Sequence, residues 1–184
     1  MTTSPYRVVA FSGSLRSGSS NTALLHMARR LAPPSLDIEI IDWIVDLPWM
    51  NTDLESDPPP VVQRWWDTVR GADAILIALP EYNWSPSPLA KNAIDWATRP
   101  VHDRSISGRV VALMTSASRS GGSNAQGPLT TILGLLGATV VENPPVQLAL
   151  MADRINPDGT TSDPEIERLV AAKLDAVVAA LAAR

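Results

Sequence analysis

The runs AILIAL (residues 74–79) and RVVALM (residues 109–114) are apolar at almost every position. A strand with one wet face alternates apolar and polar residues, so runs like these must be covered on both sides, as the central strands of parallel sheets are. Strand candidates fall at Arg7–Phe11, Asp37–Ile41, Ala74–Ala78, Val110–Met114 and Ala138–Val141. Helical patterns lie between and after them, at Asn21–Leu31, Val61–Arg70, Leu89–Thr98, Asn124–Leu136 and Pro164–Ala183. Ser20 or Asn21 suits the entry of the first helix, and Asp163-Pro164 opens the last. Strand–helix alternation repeated in this way predicts parallel strands, right-handed crossovers and a doubly wound three-layer α/β sandwich. The 184 residues suffice for one domain with a full core, read as residues 1–184.

Ligands of such folds sit beyond the carboxyl ends of the strands, near the point where the strand order reverses. Three loops leave those ends: residues 12–20, 80–88 and 115–123. The first, within FSGSLRSGSSNTALL (residues 11–25), has the G-x-x-x-x-G spacing of a P-loop between Gly13 and Gly18. Ser19 stands where that motif needs its phosphate-gripping lysine, which argues against nucleoside-triphosphate hydrolysis. The G-x-G-x-x-G spacing of dinucleotide folds is also absent. A helix entry carrying Ser14, Arg16, Ser19, Ser20, Asn21 and Thr22 suits one terminal phosphate, met by backbone N–H groups, hydroxyls and a guanidinium. Read from the residues alone, the same stretch is equally a capped helix start without a ligand.

The second loop opens with Pro80, Glu81, Tyr82 and Asn83, and Pro86 and Pro88 stiffen its path into the next helix. An aromatic ring with backbone donors and acceptors at a sheet's edge suits a planar heteroaromatic ligand. Tyr82 and Trp84 would also serve as core or interface residues. In the third loop Ser116, Ser118, Gly121 and Gly122 are placed to approach a ligand from its other side, the glycines permitting close backbone passage. The string GGSNA (residues 121–125) hints at a nucleophile elbow, but both histidines, His26 and His102, precede Ser123, the reverse of the hydrolase order.

The motifs GSLRSGSSN and PEYNWSPSPLAKNAIDW together resemble the NADPH-dependent FMN reductase family, which includes chromate-, quinone- and azo-reducing flavoproteins. The likeness extends from Arg7 to about Val141. It implies a flavodoxin-like fold, with a five-stranded parallel sheet in the order 2-1-3-4-5, and non-covalently bound FMN. It further implies that Ser14, Arg16, Ser19, Ser20, Asn21 and Thr22 surround the phosphate. Pro80, Glu81, Tyr82 and Asn83 would line the isoalloxazine ring, with Ser116 and Gly121 contributing from the third loop. NADPH, or NADH, would reduce the flavin, and a quinone, azo compound, chromate or free flavin would accept the electrons in a ping-pong sequence. Arg16 or Arg119 is placed to meet a 2′-phosphate. A flavodoxin-type electron carrier, which does not react with NAD(P)H, is the alternative; such carriers tend to be strongly acidic.

The formal charge of −4 speaks against nucleic-acid or membrane-surface partners. The absence of cysteine excludes disulfides, thiolate catalysis and cysteine metal sites. No metal site is expected. The amino terminus resembles neither a signal peptide nor a lipidation site, and no apolar run reaches the about 18 residues of a membrane span, so a cytoplasmic protein is expected. Charged residues are sparse, at 18%, and the six tryptophans all fall outside the predicted strands. With the long connection DWIVDLPWMNTDLESDPPP (residues 42–60), they point to a homodimer or homotetramer contact or to the flank of the site, or else to packing within the domain.

Overall fold

A computed structural model of the chain describes residues 4–150 and 154–184. Strands β1 (Tyr6–Ser12), β2 (Leu36–Ile41), β3 (Ala74–Ala78), β6 (Val110–Ala117) and β7 (Thr139–Ala149) form one parallel sheet in the order β2-β1-β3-β6-β7. That is the expected 2-1-3-4-5 order. A two-stranded ribbon, β4 (Glu81–Tyr82) with β5 (Ser85–Pro86), stands apart from it. The helices are α1 (Ser20–Leu31), α2 (Pro60–Arg70), α3 (Pro88–Ala97), α4 (Ser123–Leu135) and α5 (Pro164–Ala182).

Alternate residues of each strand enter opposite layers, because side chains along a strand point to opposite faces. Val8, Ala10, Leu76 and Ala112 pack with α1 and α5, whereas Val9, Phe11, Ile75, Ile77 and Leu113 pack with α2, α3 and α4. Four of the tryptophans belong to this second layer. Trp65 meets Phe11 edge-on with ring centroids 5.5 Å apart, and Trp43 stands edge-on to Trp65 at 6.3 Å. The indole N–H groups of Trp65, Trp66 and Trp96 donate to the carbonyls of Ala93, Trp96 and Pro48. Each ring therefore buries its apolar surface without stranding its donor.

The fifth strand runs eight residues beyond the predicted end at Val141, to Ala149, and the fourth extends from Met114 to Ala117. Pro144 and Pro145 broke the sequence pattern; an edge strand tolerates prolines because one side of its ladder is unpaired. The β6–β7 register shifts between Ala112 and Met114. Alongside this irregularity, fully buried Lys173 of α5 donates to the carbonyls of Val141 (2.8 Å) and Glu142 (2.9 Å). Burial pushes the Lys173 pKa down to about 8, against the opposing pull of the Glu142 charge.

Candidate functional site

At the carboxyl ends of β1, β3 and β6 the three loops enclose a cavity of about 540 Å³. Ser14, Arg16, Ser19, Ser20 and Asn21 line it from the first loop, Pro80, Glu81 and Tyr82 from the second, and Ser116 from the third. Ala117, Ser118 and Leu150 complete the wall. Thr22, Asn83 and Gly121, the remaining residues picked out in the sequence, lie outside this lining.

Each loop is shaped by its own sequence. Ser19 caps α1, its hydroxyl accepting the Asn21 N–H at 3.2 Å. The Ser14 hydroxyl accepts the Arg16 N–H at 3.3 Å, and Thr22 donates its hydroxyl to Ser12 at 2.9 Å. The first turn of a helix leaves amides without intrahelical acceptors, and the residues of this one, Ser20 and Asn21, line the cavity together with Arg16. No acidic residue occupies this first turn, so no carboxylate of the turn itself opposes an anion there. Among the described residues Arg16 makes no ion pair.

Two of the sequence-selected side chains tie loops together. The Asn21 amide donates to the Ser116 carbonyl and accepts the Ser116 N–H, both at 2.9 Å, so the start of α1 is bound to the end of β6. Asn21 thus offers a ligand little of its side chain. The Glu81 carboxylate accepts from the Ser120 hydroxyl (2.7 Å), the Asn124 backbone N–H (3.0 Å) and the Asn124 side-chain amide (3.1 Å). Gly122 gives α4 no side-chain cap, and Glu81 from the neighbouring loop supplies one. Partial burial raises the pKa of Glu81, but the hydrogen bonds from Ser120 and Asn124 outweigh it and hold the carboxyl below the ordinary glutamate value.

The glycines of the third loop serve packing. Gly121 has φ +64°, and a Cβ there would stand 2.8 Å from the Gln147 carbonyl oxygen; at Gly122, with φ +96°, it would collide with the Thr115 hydroxyl. Thr115 also donates its hydroxyl to the Gly121 carbonyl. These contacts press the loop onto β6 and β7. Ser116 differs from its neighbours, because its Oγ is buried and has no hydrogen-bond partner among the described residues.

The ribbon of the second loop turns through Asn83 (φ +49°) and Trp84 (φ +59°). Positive φ at both central residues marks a type I′ hairpin turn, ordinarily built with Asn-Gly. Without that glycine the sequence carries no hairpin signal and predicts a loop. Trp84 occupies the strained position while 77% exposed, so core packing does not explain it. Such strain concentrates at functional sites.

A second hollow, of about 510 Å³, adjoins the first and shares Arg16 and Tyr82 with it. Leu47, Pro48 and Trp49 of the long 42–60 connection form one of its walls. That connection flanks the site, as one of its readings expected, while Ile44 and Leu47 also anchor it in the domain's own core. Among the described residues no helix is long and apolar enough to cross a membrane.

The pattern of the NADPH-dependent FMN reductase family matches residues 6–152. An NAD(P)H-dependent FMN reductase of Pseudomonas aeruginosa is 38% identical over 93% of the chain and 92% of its own length. A quinone reductase of Escherichia coli is 32% identical, covering 82% of the chain and 81% of its own. The structure of FerB, a flavoenzyme NAD(P)H:(acceptor) oxidoreductase from Paracoccus denitrificans, superposes with a TM-score of 0.87 at 32% identity. That match covers 97% of this chain and 98% of the other.

Proposed function

The chain belongs to the NADPH-dependent FMN reductase family, and from that membership we propose how its own residues serve an NAD(P)H-dependent reduction of a small acceptor. FMN is held without a covalent bond in the 540 Å³ cavity, within the size range of cofactor sites. Its phosphate lies against the α1 entry, where Ser14, Arg16, Ser19 and Ser20 converge. Its ring lies against Pro80, Glu81, Tyr82 and Ser116.

One observation carries this reading: the helix entry bearing Ser14, Arg16, Ser19 and Ser20 lines the same cavity as Pro80, Glu81 and Tyr82, so a cationic end and an aromatic-bearing end share one space. Such a space suits a molecule with a phosphate at one end and a planar ring at the other. The polar loop edges and free Arg16 fit the same group. Bound there, FMN supplies two-electron transfer between a nicotinamide and an acceptor.

The chain's part is to bind and orient. Arg16 neutralises the phosphate, the α1 dipole favours it, and Asn21 and Glu81 hold the three loops at fixed separation. Donor and acceptor use the same open side in turn, which makes the kinetics ping-pong. Thr22 acts on the phosphate loop through Ser12, Asn83 through the turn it shapes, and Gly121 through its fit against Gln147. The acceptor belongs to the quinone, azo, chromate or free-flavin class. The assembly is a homodimer or homotetramer in the cytoplasm, a reading supported by exposed Leu135 and Val101, which lie away from both cavities.

Titrating the FMN-free protein with FMN and then adding NADPH without oxygen tests this. Stoichiometric binding followed by rapid bleaching of the flavin band is the expected result. Bound FMN that stays oxidised would mean a carrier instead, and failure to bind FMN would overturn the proposal.

A further inference from the structure

The hollow beside the cofactor cavity is apolar along Leu15, Val45, Leu47, Trp49 and Leu89. Three of these are conspicuously wet for their type: Leu15 is 69% exposed, Val45 47% and Trp49 72%. Leaving such surface in water is unfavourable by roughly 25 cal/mol per Å². A loose chain would explain it trivially, but this chain is not loose. On one side of Trp49 the Pro48 carbonyl accepts from both the Asn92 amide (2.9 Å) and the Trp96 indole (2.8 Å). On the other side the Met50 N–H donates to Asn92 Oδ1 at 2.8 Å. Asn92 and Trp96 are buried on α3, so the backbone around Trp49 is clamped to a helix while its ring stays at the rim. The hollow is preformed, which removes much of the ordering cost of binding.

Its position names the occupant. The hollow shares Arg16 and Tyr82 with the cofactor cavity, so a molecule reacting beside that common rim has its remainder within reach of the hollow. We propose that this hollow is the apolar subsite for the electron acceptor, and that the preferred acceptor is a quinone carrying a hydrocarbon side chain. The quinone ring reacts beside Tyr82, and the chain lies over Leu15, Val45 and Trp49. The inference rests on reading the adjoining cavity as the FMN site. NAD(P)H and one proton reduce the quinone to its hydroquinone and leave NAD(P)⁺, so no further reductant is involved. A second copy of the chain seated in this hollow would instead close off the shared wall at Arg16 and Tyr82.

The test compares benzoquinones with the same ring, with and without a decyl chain, on the FMN-loaded enzyme. The wild type is expected to prefer the decyl compound at least tenfold in kcat/KM, and the Leu15→Ser/Trp49→Ser double variant to lose most of that preference. Calorimetric titration of the oxidised, FMN-loaded enzyme without NADPH reads binding apart from turnover. Decyl-quinone binding with a negative heat-capacity change, weakened at least tenfold in the variant, supports the proposal. Equal use of both quinones overturns it, as does a variant whose preference is intact. A variant that changes sedimentation but not preference assigns the hollow to contact between copies and also overturns it. Bleaching of the flavin by NADPH checks the cofactor reading separately: with bleaching intact, a wild type that shows no chain preference sinks only this proposal. Without FMN uptake both fall.

Discussion

Asn21 and Ser116, 95 positions apart, exchange two hydrogen bonds of 2.9 Å through one side chain and one peptide unit. This pairing makes Asn21 a joint between loops. Asn21→Ala strands a buried carbonyl and a buried N–H, and is expected to lower unfolding free energy by about 2–3 kcal/mol. Asn21→Asp keeps the acceptor alone and recovers part of that loss. Urea midpoints of the FMN-free proteins measure both.

Ser116→Ala keeps both backbone bonds and deletes only the unpartnered hydroxyl. FMN-free stability should be unchanged or slightly raised, while FMN affinity falls by about 1 kcal/mol, roughly fivefold. Fluorescence titration with FMN provides the readout, and an unaffected affinity would remove Ser116 from the site.

Arg16 is exposed and without an ion pair among the described residues, so its loss should not disturb the fold. Arg16→Ala is expected to weaken FMN binding about tenfold to a hundredfold, the range of a charge-assisted phosphate contact. Ser19→Ala serves less well as a probe, because that hydroxyl also caps α1 and its removal costs about 1 kcal/mol of stability.

Glu81 has a lowered pKa in the folded protein, so its stabilising contribution is present above the ordinary glutamate value and is lost as pH falls through the folded one. The wild type should therefore lose melting temperature between roughly pH 5 and pH 3 more steeply than Glu81→Gln. Identical acid limbs would mean that the bonds to Ser120 and Asn124 contribute nothing in solution.

Lys173 has a dependence of the same sign in a more alkaline window. Its folded pKa of about 8 lies below the ordinary 10.5, so the unfolded chain holds more protons between these values and stability rises with pH there. Relative to Lys173→Met, the wild type should gain on the order of 1–3 kcal/mol across that window. Denaturant titrations at several pH values would show it as a difference in slope.

Trp84→Gly relieves the left-handed backbone at the ribbon's turn. It should stabilise the fold by about 0.5–1 kcal/mol. A simultaneous loss of turnover would mean that the exposed indole is kept for function against a stability cost. Thermal melts and quinone reduction by the same preparation read the two effects together.

The parallel sheet was legible because AILIAL and RVVALM permit one environment only, its order came from the family resemblance, and the three loops followed from where those strands end. Strand β7 was legible only at its start, since its prolines are admissible at an edge that the local sequence does not announce. The ribbon escaped because its turn uses Trp84 where glycine is usual. The residues of the site were mostly visible, but two roles were not. Nothing near Asn21 or Glu81 in the chain indicates that their partners are Ser116, Ser120 and Asn124, because those bonds depend on strand order rather than on spacing.

The ties at Asn21 and Glu81 also set a timetable. Both end in the stretch from Ser116 to Asn124, so a nascent chain that has emerged only as far as α3 holds two of the three loops and neither of their fastenings. Contacts of such long sequence separation close late in folding. The cofactor's place is thus unavailable to any fragment ending before β6, and a chain able to retain its flavin is one that has already completed its sheet.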